Sequence, residues 1–159
     1  MTSPNYAALK AAMATGGQYA GLTDTEAVSA CNAATVSVNV DIPMSAVLEY
    51  FALAGKLPLI QGWAKSAPSG VSAEATVAAQ TFGAIIGPPP LFSSLRMSDP
   101  AANTAITNMV SALVSAGLLT SADQSAVLGQ SVQKVAQSKL WGWSNGIIDN
   151  DLVAARNWP

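Results

Sequence analysis

The apolar residues of this chain recur mainly at helical spacing, in short runs that begin at capping residues and end at Gly or Pro. The longest run has Ser98 or Asp99 as its expected cap, Pro100 as its first helical residue and Gly117 as its end. Its apolar positions fall at i, i+3, i+4, i+7 and i+8, namely at Ile106, Met109, Val110, Leu113 and Val114. This spacing predicts an amphipathic helix with one face in a core.

Further helices are predicted from the same signals. Their expected spans are Pro4 to the Gly16-Gly17 pair, the Thr23 cap to about Cys31, Met44–Ala54, Leu59–Lys65, Ala73–Ile86, Ser121–Leu128, Val132–Leu140, and Asp149 or Asn150 to Arg156. Ser3 is expected to cap the first, with Pro4 in its first position. Capping boxes are predicted at Thr23–Glu26 and Ser121–Gln124, where two side chains satisfy unpaired backbone N–H groups.

Few segments point to anything other than helix. Thr35–Val40 alternates polar and apolar residues and is the only clear strand signal. Ser66–Gly70 is predicted to turn, and Pro88–Pro90 to be extended and stiff before the apolar pair Leu91-Phe92. The predicted fold is therefore one compact, mainly α domain over residues 1–159, with short helices, a possible minor β-ribbon, and turn or extended connections at 66–70 and 87–92.

The charge content of the chain is low, which narrows the range of partners. Charged residues make up 10% of the sequence, the net charge is −2 and the basic residues are scattered. No basic stripe is present to neutralise a run of phosphates, so we expect no direct nucleic-acid binding. No apolar run approaches the ~20 residues of a membrane span, and the start lacks a secretory-signal pattern, so we expect no membrane partner. Either partners cover part of this neutral polar surface, or the protein is a weakly charged soluble monomer.

Groups for ordinary catalysis are scarce. The chain has no histidine and one cysteine, Cys31, whose spacing with Ala27 and Val28 favours a core position. Acidic residues lie mostly at predicted helix starts, where they stabilise the helix end: Asp24, Glu26, Asp99, Asp123, Asp149 and Asp151. Asp149-Asn150-Asp151 resembles the start of a calcium-binding loop, but the oxygen ligands expected at the later loop positions are missing. A helix start is therefore the better explanation of these residues as well. We therefore predict no catalytic residue, no metal site and no cofactor.

Two weaker catalytic patterns remain. Asp41, Glu49 and Glu74 are not explained as caps, and could converge as the carboxylates of a hydrolase do. Ser131 and Lys134 have the S-x-x-K spacing of a Ser–Lys dyad, with Ser138-Lys139 nearby. Exposed helix residues are the simpler interpretation of both serine–lysine pairs.

Tryptophan is concentrated near the C-terminus. Three of the four tryptophans are Trp141, Trp143 and Trp158. Trp is enriched at interface hot spots, but the favoured interpretation is that these rings complete a core that is thin in other large side chains. Trp158 is the ring most expected to face a partner. The predicted interface consists of Leu91, Phe92, Trp141, Trp143 and Trp158.

The two ends of the chain resemble a family of small uncharacterised virion-associated proteins of tailed bacteriophages. The N-terminal motifs are Tyr6-Ala-Ala-Leu-Lys10, Tyr19-Ala-Gly-Leu-Thr-Asp24, Glu26-Ala27, Cys31-Asn32-Ala33 and Ile42-Pro43. The C-terminal motifs are Val135–Gly142 and Asp151-Leu-Val-Ala-Ala-Arg156. The chain departs from the family pattern at Pro88–Pro90 and in its Trp-rich end. The family pattern carries no catalytic residue to this chain.

The resemblance implies a virion component made in the host cytoplasm, in the tail, baseplate or head–tail region. Its expected partners are other virion proteins, in an assembly of multiple copies. The predicted function is therefore a non-catalytic structural role through protein–protein contacts. The alternatives are a small phage-encoded regulator or inhibitor of a host target and, third, a carboxylate-dependent hydrolase.

Overall fold

The computed structural model describes residues 4–159, so the predicted Ser3 cap lies outside the described residues. Of the described residues, 57% are helical when the 3₁₀ helix Gly129–Ser131 is included, which confirms the mainly α class. The helices are α1 (Tyr6–Met13), α2 (Asp24–Asn32), α3 (Met44–Leu53), α4 (Leu57–Lys65), α5 (Ala73–Ile86), α6 (Pro100–Ser115), α7 (Ser121–Leu128), α8 (Gln137–Leu140) and α9 (Asp149–Arg156). The strands are β1 (Ala34–Asn39), β2 (Ile42–Pro43), β3 (Ser94–Leu95) and β4 (Val132–Ala136).

The chain divides into two compact units. The first contains the described residues up to Ser37 together with Lys134–Pro159, and the second is Val38–Gln133. Neither crossing point is marked by a linker in the sequence, and the single domain over 1–159 stays a prediction. The first crossing lies inside β1 and the second inside β4. These two strands pair with each other in a two-stranded ribbon. A second small sheet pairs β2 with β3 antiparallel, with Ile42 opposite Leu95.

The first unit is built around the helices from the two ends of the chain. Its buried residues are Leu9, Ala12, Tyr19, Ala27, Cys31, Trp143, Ile147, Leu152 and Ala155. Asn32 at the end of α2 fixes the start of α9, because its side-chain oxygen accepts from the Ile147 N–H and its amide nitrogen donates to the Ile147 carbonyl, both at 2.9 Å. Gly146, with φ +84°, brings the backbone close: a Cβ there would lie 2.8 Å from Asn32 Oδ1. The approach therefore requires glycine on both counts.

The second unit has its own core between α3, α4, α5, α6 and α7. Phe51 and Phe82 are fully buried and meet edge to face, with ring centroids 5.9 Å apart. Val110 and Leu113, from the predicted stripe of α6, are fully buried as well. The residues of that stripe thus lie on the core side, as their spacing predicted.

Helices α4 and α5 approach each other closely at one point. A Cβ built on Gly83 of α5 would lie 2.5 Å from the Cβ of Ala64 on α4. Real Cβ atoms essentially never come within 3.0 Å of another atom. Gly83 is therefore the residue that permits this helix spacing.

Local capping signals were read correctly in part. Thr23 caps α2 in the predicted box with Glu26. Asp99 caps α6 with Pro100 as the first helical residue, as predicted. At α1 the cap is Asn5, which accepts from the Ala8 N–H at 2.9 Å, and the helix begins at Tyr6 rather than at the predicted Pro4. Thr120, not Ser121, caps α7. The N-cap is the last non-helical residue before a helix, and Ser, Thr and Asn fill this position about equally well. The sequence therefore does not decide which of several neighbouring candidates is the cap.

The predicted helix over Val132–Leu140 was wrong in its first half. Val132–Ala136 is β4, and only Gln137–Leu140 is helical. The pairing of β4 with β1, distant in sequence, overrides a local pattern that fits either element.

The predicted extended conformation of Pro88–Pro90 was also wrong. The backbone bends at Gly87, Pro88 and Pro89, and the Pro88–Pro89 peptide bond is cis. The predicted turn at Ser66–Gly70 is present at Ser69-Gly70. The connection after α5 is therefore a bent one.

Candidate interaction surface

Of the large apolar side chains exposed in the second unit, two are neighbours in the segment Pro88–Phe92, which we call the proline segment. Leu91 is 64% exposed and Phe92 57% exposed. The backbone around them is held: the Leu91 N–H donates to the Ile85 carbonyl at 3.1 Å, and the Met44 N–H donates to the Ser93 carbonyl at 2.9 Å. The predicted interface residues Leu91 and Phe92 therefore stand on a backbone fixed on either side.

An apolar trough adjoins the proline segment in the same unit. One end, of about 470 Å³, is lined by α3, the start of α4 and the prolines, with Leu48, Ala52, Leu57 and Ile86 among its walls. The other end, of about 450 Å³, lies between the rest of α4 and α5. The two depressions are adjacent, because Gln61, Gly87 and Pro88 line both of them, and we call them together the α4 trough. The sequence does not indicate this trough, because its walls come from separate segments.

The three C-terminal tryptophans differ in burial within the first unit. Trp143 is only 7% exposed and meets Tyr6 edge to face, with ring centroids 5.2 Å apart. Its assignment to the interface is therefore corrected: the ring belongs to the core. Trp141 is half-buried and lies edge-on to Tyr19 at 6.3 Å.

Trp158 is the most accessible of these rings, at 43% exposed. Its ring stacks on Tyr6 with centroids 5.2 Å apart and an interplanar angle of 18°. The Lys10 ammonium donates to its backbone carbonyl. One face of the indole is thus covered within the chain, and a partner could contact only the remainder.

Four of the nine acidic side chains accept hydrogen bonds from backbone N–H groups at helix starts. Hydrogen bonds from Thr23 lower the pKa of Glu26, and those from the backbone N–H groups of Ala102 and Ala101 lower the pKa of Asp99. Asp41, which the sequence left unexplained, accepts from the Ser98 hydroxyl and N–H, and its pKa is lowered by them. Among residues 4–159, no group of three or more His, Cys, Asp or Glu side chains could hold a metal ion.

Two acidic residues of the first unit also hold local structure. The hydrogen bonds of the Arg156 guanidinium lower the pKa of Asp24, and the same contact raises the pKa of Arg156. Asp151 accepts from the Ile148 N–H at 2.9 Å at the start of α9. Each carboxylate thus has a partner that accounts for its position.

Asp123 stands apart because it is buried, at 6% exposed. It accepts from the Thr120 N–H and hydroxyl, both at 2.7 Å, and from the Tyr50 hydroxyl at 2.8 Å, with the Lys56 ammonium 3.7 Å away. Burial raises the pKa of Asp123, but these hydrogen bonds and the Lys56 charge together lower it below its usual value. Asp123 thereby fastens α7 to α3 and to the residue before α4.

The serine–lysine pairs are engaged elsewhere. Ser131 Oγ donates to the Leu128 carbonyl at 2.6 Å, and Lys134 Nζ donates to Ser37 Oγ at 2.8 Å. Ser138 is fully buried, while Lys139 is exposed. Neither pair has the serine-to-lysine hydrogen bond on which nucleophile activation depends.

Cys31 is a core thiol, as its spacing predicted. It is fully buried, and burial raises its pKa. Burial, with a smaller contribution from Cys31, raises the pKa of Tyr19 to about 12. Both groups are therefore neutral at physiological pH, and a thiolate nucleophile is not formed there.

Comparisons of the chain with protein-family models, curated proteins and solved structures find no match. Within residues 4–159, the helices are all too short or too polar to cross a membrane.

Proposed function

We propose that the protein is a non-catalytic structural component of a tailed-phage virion that works by contact with other virion proteins. The resemblance of the two chain ends to virion-associated proteins supports the virion assignment. The observation that carries the contact role is the pair Leu91 and Phe92, exposed on a backbone that is already fixed. A fixed backbone loses little conformational entropy when a partner docks.

The size of this contact suits a repeated assembly. Burying an exposed Leu or Phe side chain contributes about 1.5–3 kcal/mol. Since somewhat more than half of each side chain is exposed, covering both would contribute roughly 2–4 kcal/mol. That is weak for one isolated contact, but many linked copies raise the overall strength without any new contact.

The first test is mass spectrometry of purified particles of a phage that encodes this chain. We expect the protein to be present at a fixed number of copies per particle. Absence from particles together with abundance in infected cells would reject the structural role and favour the regulator or inhibitor of a host target.

The second test replaces the exposed pair. Phages carrying Leu91→Asn with Phe92→Asn should contain less of the protein per particle, because the apolar contact is lost while the fold is kept. Val77→Asn is the matched control, since Val77 is 59% exposed in the same unit but lies on α5 outside the proline segment. Equal particle content for both variants would remove Leu91 and Phe92 from the contact.

A further inference from the structure

The face of α4 that lines the trough is long enough to receive a helix. Leu57, Gln61, Ala64 and Lys65 fall at i, i+4, i+7 and i+8, which is one face of the helix. At 1.5 Å per residue, this face is about 12 Å long. A partner helix of two to three turns would cover it.

The flanks of the trough suit close approach. The side chains opposite α4 are small or rigid at Ala52, Ala84 and Pro88, and the floor is apolar at Leu48 and Ile86. Small side chains on a groove wall allow another helix to pack at short distance. The apolar floor requires an apolar face on the occupant.

The two ends of the trough carry opposite charges. Glu49 lies at the end that contains Leu57, and Lys65 lies at the other end. Both side chains are exposed. Among the residues that the structure describes, neither forms an ion pair: the recorded pairs join Lys56 to Asp123, Arg96 to Asp99 and Arg156 to Asp24. Within this described part of the chain, the trough therefore has an unpaired negative charge, Glu49, at one end and an unpaired positive charge, Lys65, at the other.

We propose that the α4 trough binds an amphipathic helix of a partner protein, antiparallel to α4; this rests on the contact role proposed above. Amphipathic helices are stabilised by acidic residues in the first turn and basic residues in the last. In the antiparallel direction the acidic first turn of such a helix meets Lys65 and its basic last turn meets Glu49. The opposite direction would place like charges together at both ends.

The probe is a synthetic 14-residue peptide with Leu at i, i+4 and i+7, two Glu in its first turn and two Lys in its last. Binding to the full-length chain is measured by fluorescence anisotropy of the labelled peptide. We expect a Kd on the order of 10–100 μM. The double variant Glu49→Lys with Lys65→Glu keeps the net charge and should bind about tenfold more weakly, since two end pairs become repulsive.

A second, independent test fills the trough with a large side chain. Ala84→Trp should abolish measurable binding, whereas Val77→Trp, on the same helix but outside the lining, should leave it unchanged. No binding to the natural chain, or binding that neither the charge swap nor Ala84→Trp weakens, would overturn the proposal.

Sedimentation of the chain without peptide tests the other occupant. We expect no association that depends on the trough. Self-association abolished by Ala84→Trp would identify a second copy as the occupant and overturn the partner helix. Particle content of the Leu91 and Phe92 variant is measured separately, so failure of the trough and failure of the virion role remain distinguishable.

Discussion

The contact between Gly83 and Ala64 allows the packing of α4 and α5 to be tested with one methyl group. In Gly83→Ala the new Cβ would begin 2.5 Å from the Ala64 Cβ, against 3.4–4 Å in ordinary contact. Since a Cβ is fixed to its backbone, only a shift of about 1 Å between the helices can relieve the overlap. Such overpacking costs about 1–3 kcal/mol, while replacing Gly in a helix interior gains about 1 kcal/mol. We place the cost near its upper end, and expect the variant to be destabilised by about 1–2 kcal/mol.

Gly62→Ala is the matched control for this substitution. Gly62 also lies inside a helix of the same unit, but a Cβ there would meet nothing within 4 Å. Only the gain in helix propensity remains, so Gly62→Ala should be stabilised by about 0.5–1 kcal/mol. The same chemical change is thus expected to have opposite effects at the two positions.

A double-mutant cycle isolates the contact itself. Ala64→Gly should cost about 1 kcal/mol of helix propensity, and the pair Ala64→Gly with Gly83→Ala should return to near the natural stability, because the methyl group has changed sides. The coupling between the two sites is then roughly 2–3 kcal/mol in favour of the double variant.

Urea unfolding followed by circular dichroism at 222 nm measures all four variants. A stabilised Gly83→Ala, or additive effects in the cycle, would refute the close approach of α4 and α5.

Further predictions concern the buried polar group and the two units. Asp123→Asn should lower the free energy of unfolding by about 1–3 kcal/mol at pH 7. The native pKa of Asp123 lies below its unfolded value, so this loss should shrink as the pH falls from about 4 through the native pKa. A constant difference between the two proteins in urea unfolding from about pH 2 to 7 would contradict the assignment. Asn32→Ala should cost about 1–3 kcal/mol in thermal unfolding, whereas the exposed Asn150→Ala should be neutral; equal melting temperatures would show that the bonds to the start of α9 contribute nothing. Trp143→Ala should cost about 3–5 kcal/mol and Trp158→Ala about 1 kcal/mol, so a melting-temperature drop as large for Trp158 would place that ring in the core.

Sequence reasoning succeeded where the determining contacts are local. Both ends of the helix Ala73–Ile86 were predicted correctly, because the residues next to each end, including Gly87 and Pro88, determine where the helix begins and ends. The box at Thr23 depends on side chains three positions apart, and it too was found. The burial of the apolar stripe on α6 could be predicted from the spacing of its residues alone, without knowing which helices pack against it.

It failed where a residue far along the chain decides the outcome. Val132–Ala136 is a strand because β1 is available to pair with it, and nothing within five residues indicates this. For Trp143 the sequence favoured a core position but left the interface open. Tyr6, at the opposite end of the sequence, packs against the ring and places it in the core. The burial of Asp123 follows from Tyr50 and Lys56, so its predicted role as a capping acid was only part of the account.

Most of the motifs on which the expected resemblance to virion-associated proteins rests and the proposed contact surface belong to different units. Most of the matching motifs fall in the first unit, where Asn32, Asp24 and Arg156 hold the helices together and Cys31 fills the core. Leu91 and Phe92 belong to the second unit, beside Pro88–Pro90. The matching motifs thus fall mostly on residues that build the first unit, and they give no information on what the second unit binds. Partner choice has to be tested on the proline segment and the α4 trough directly, with variants that leave the first unit untouched.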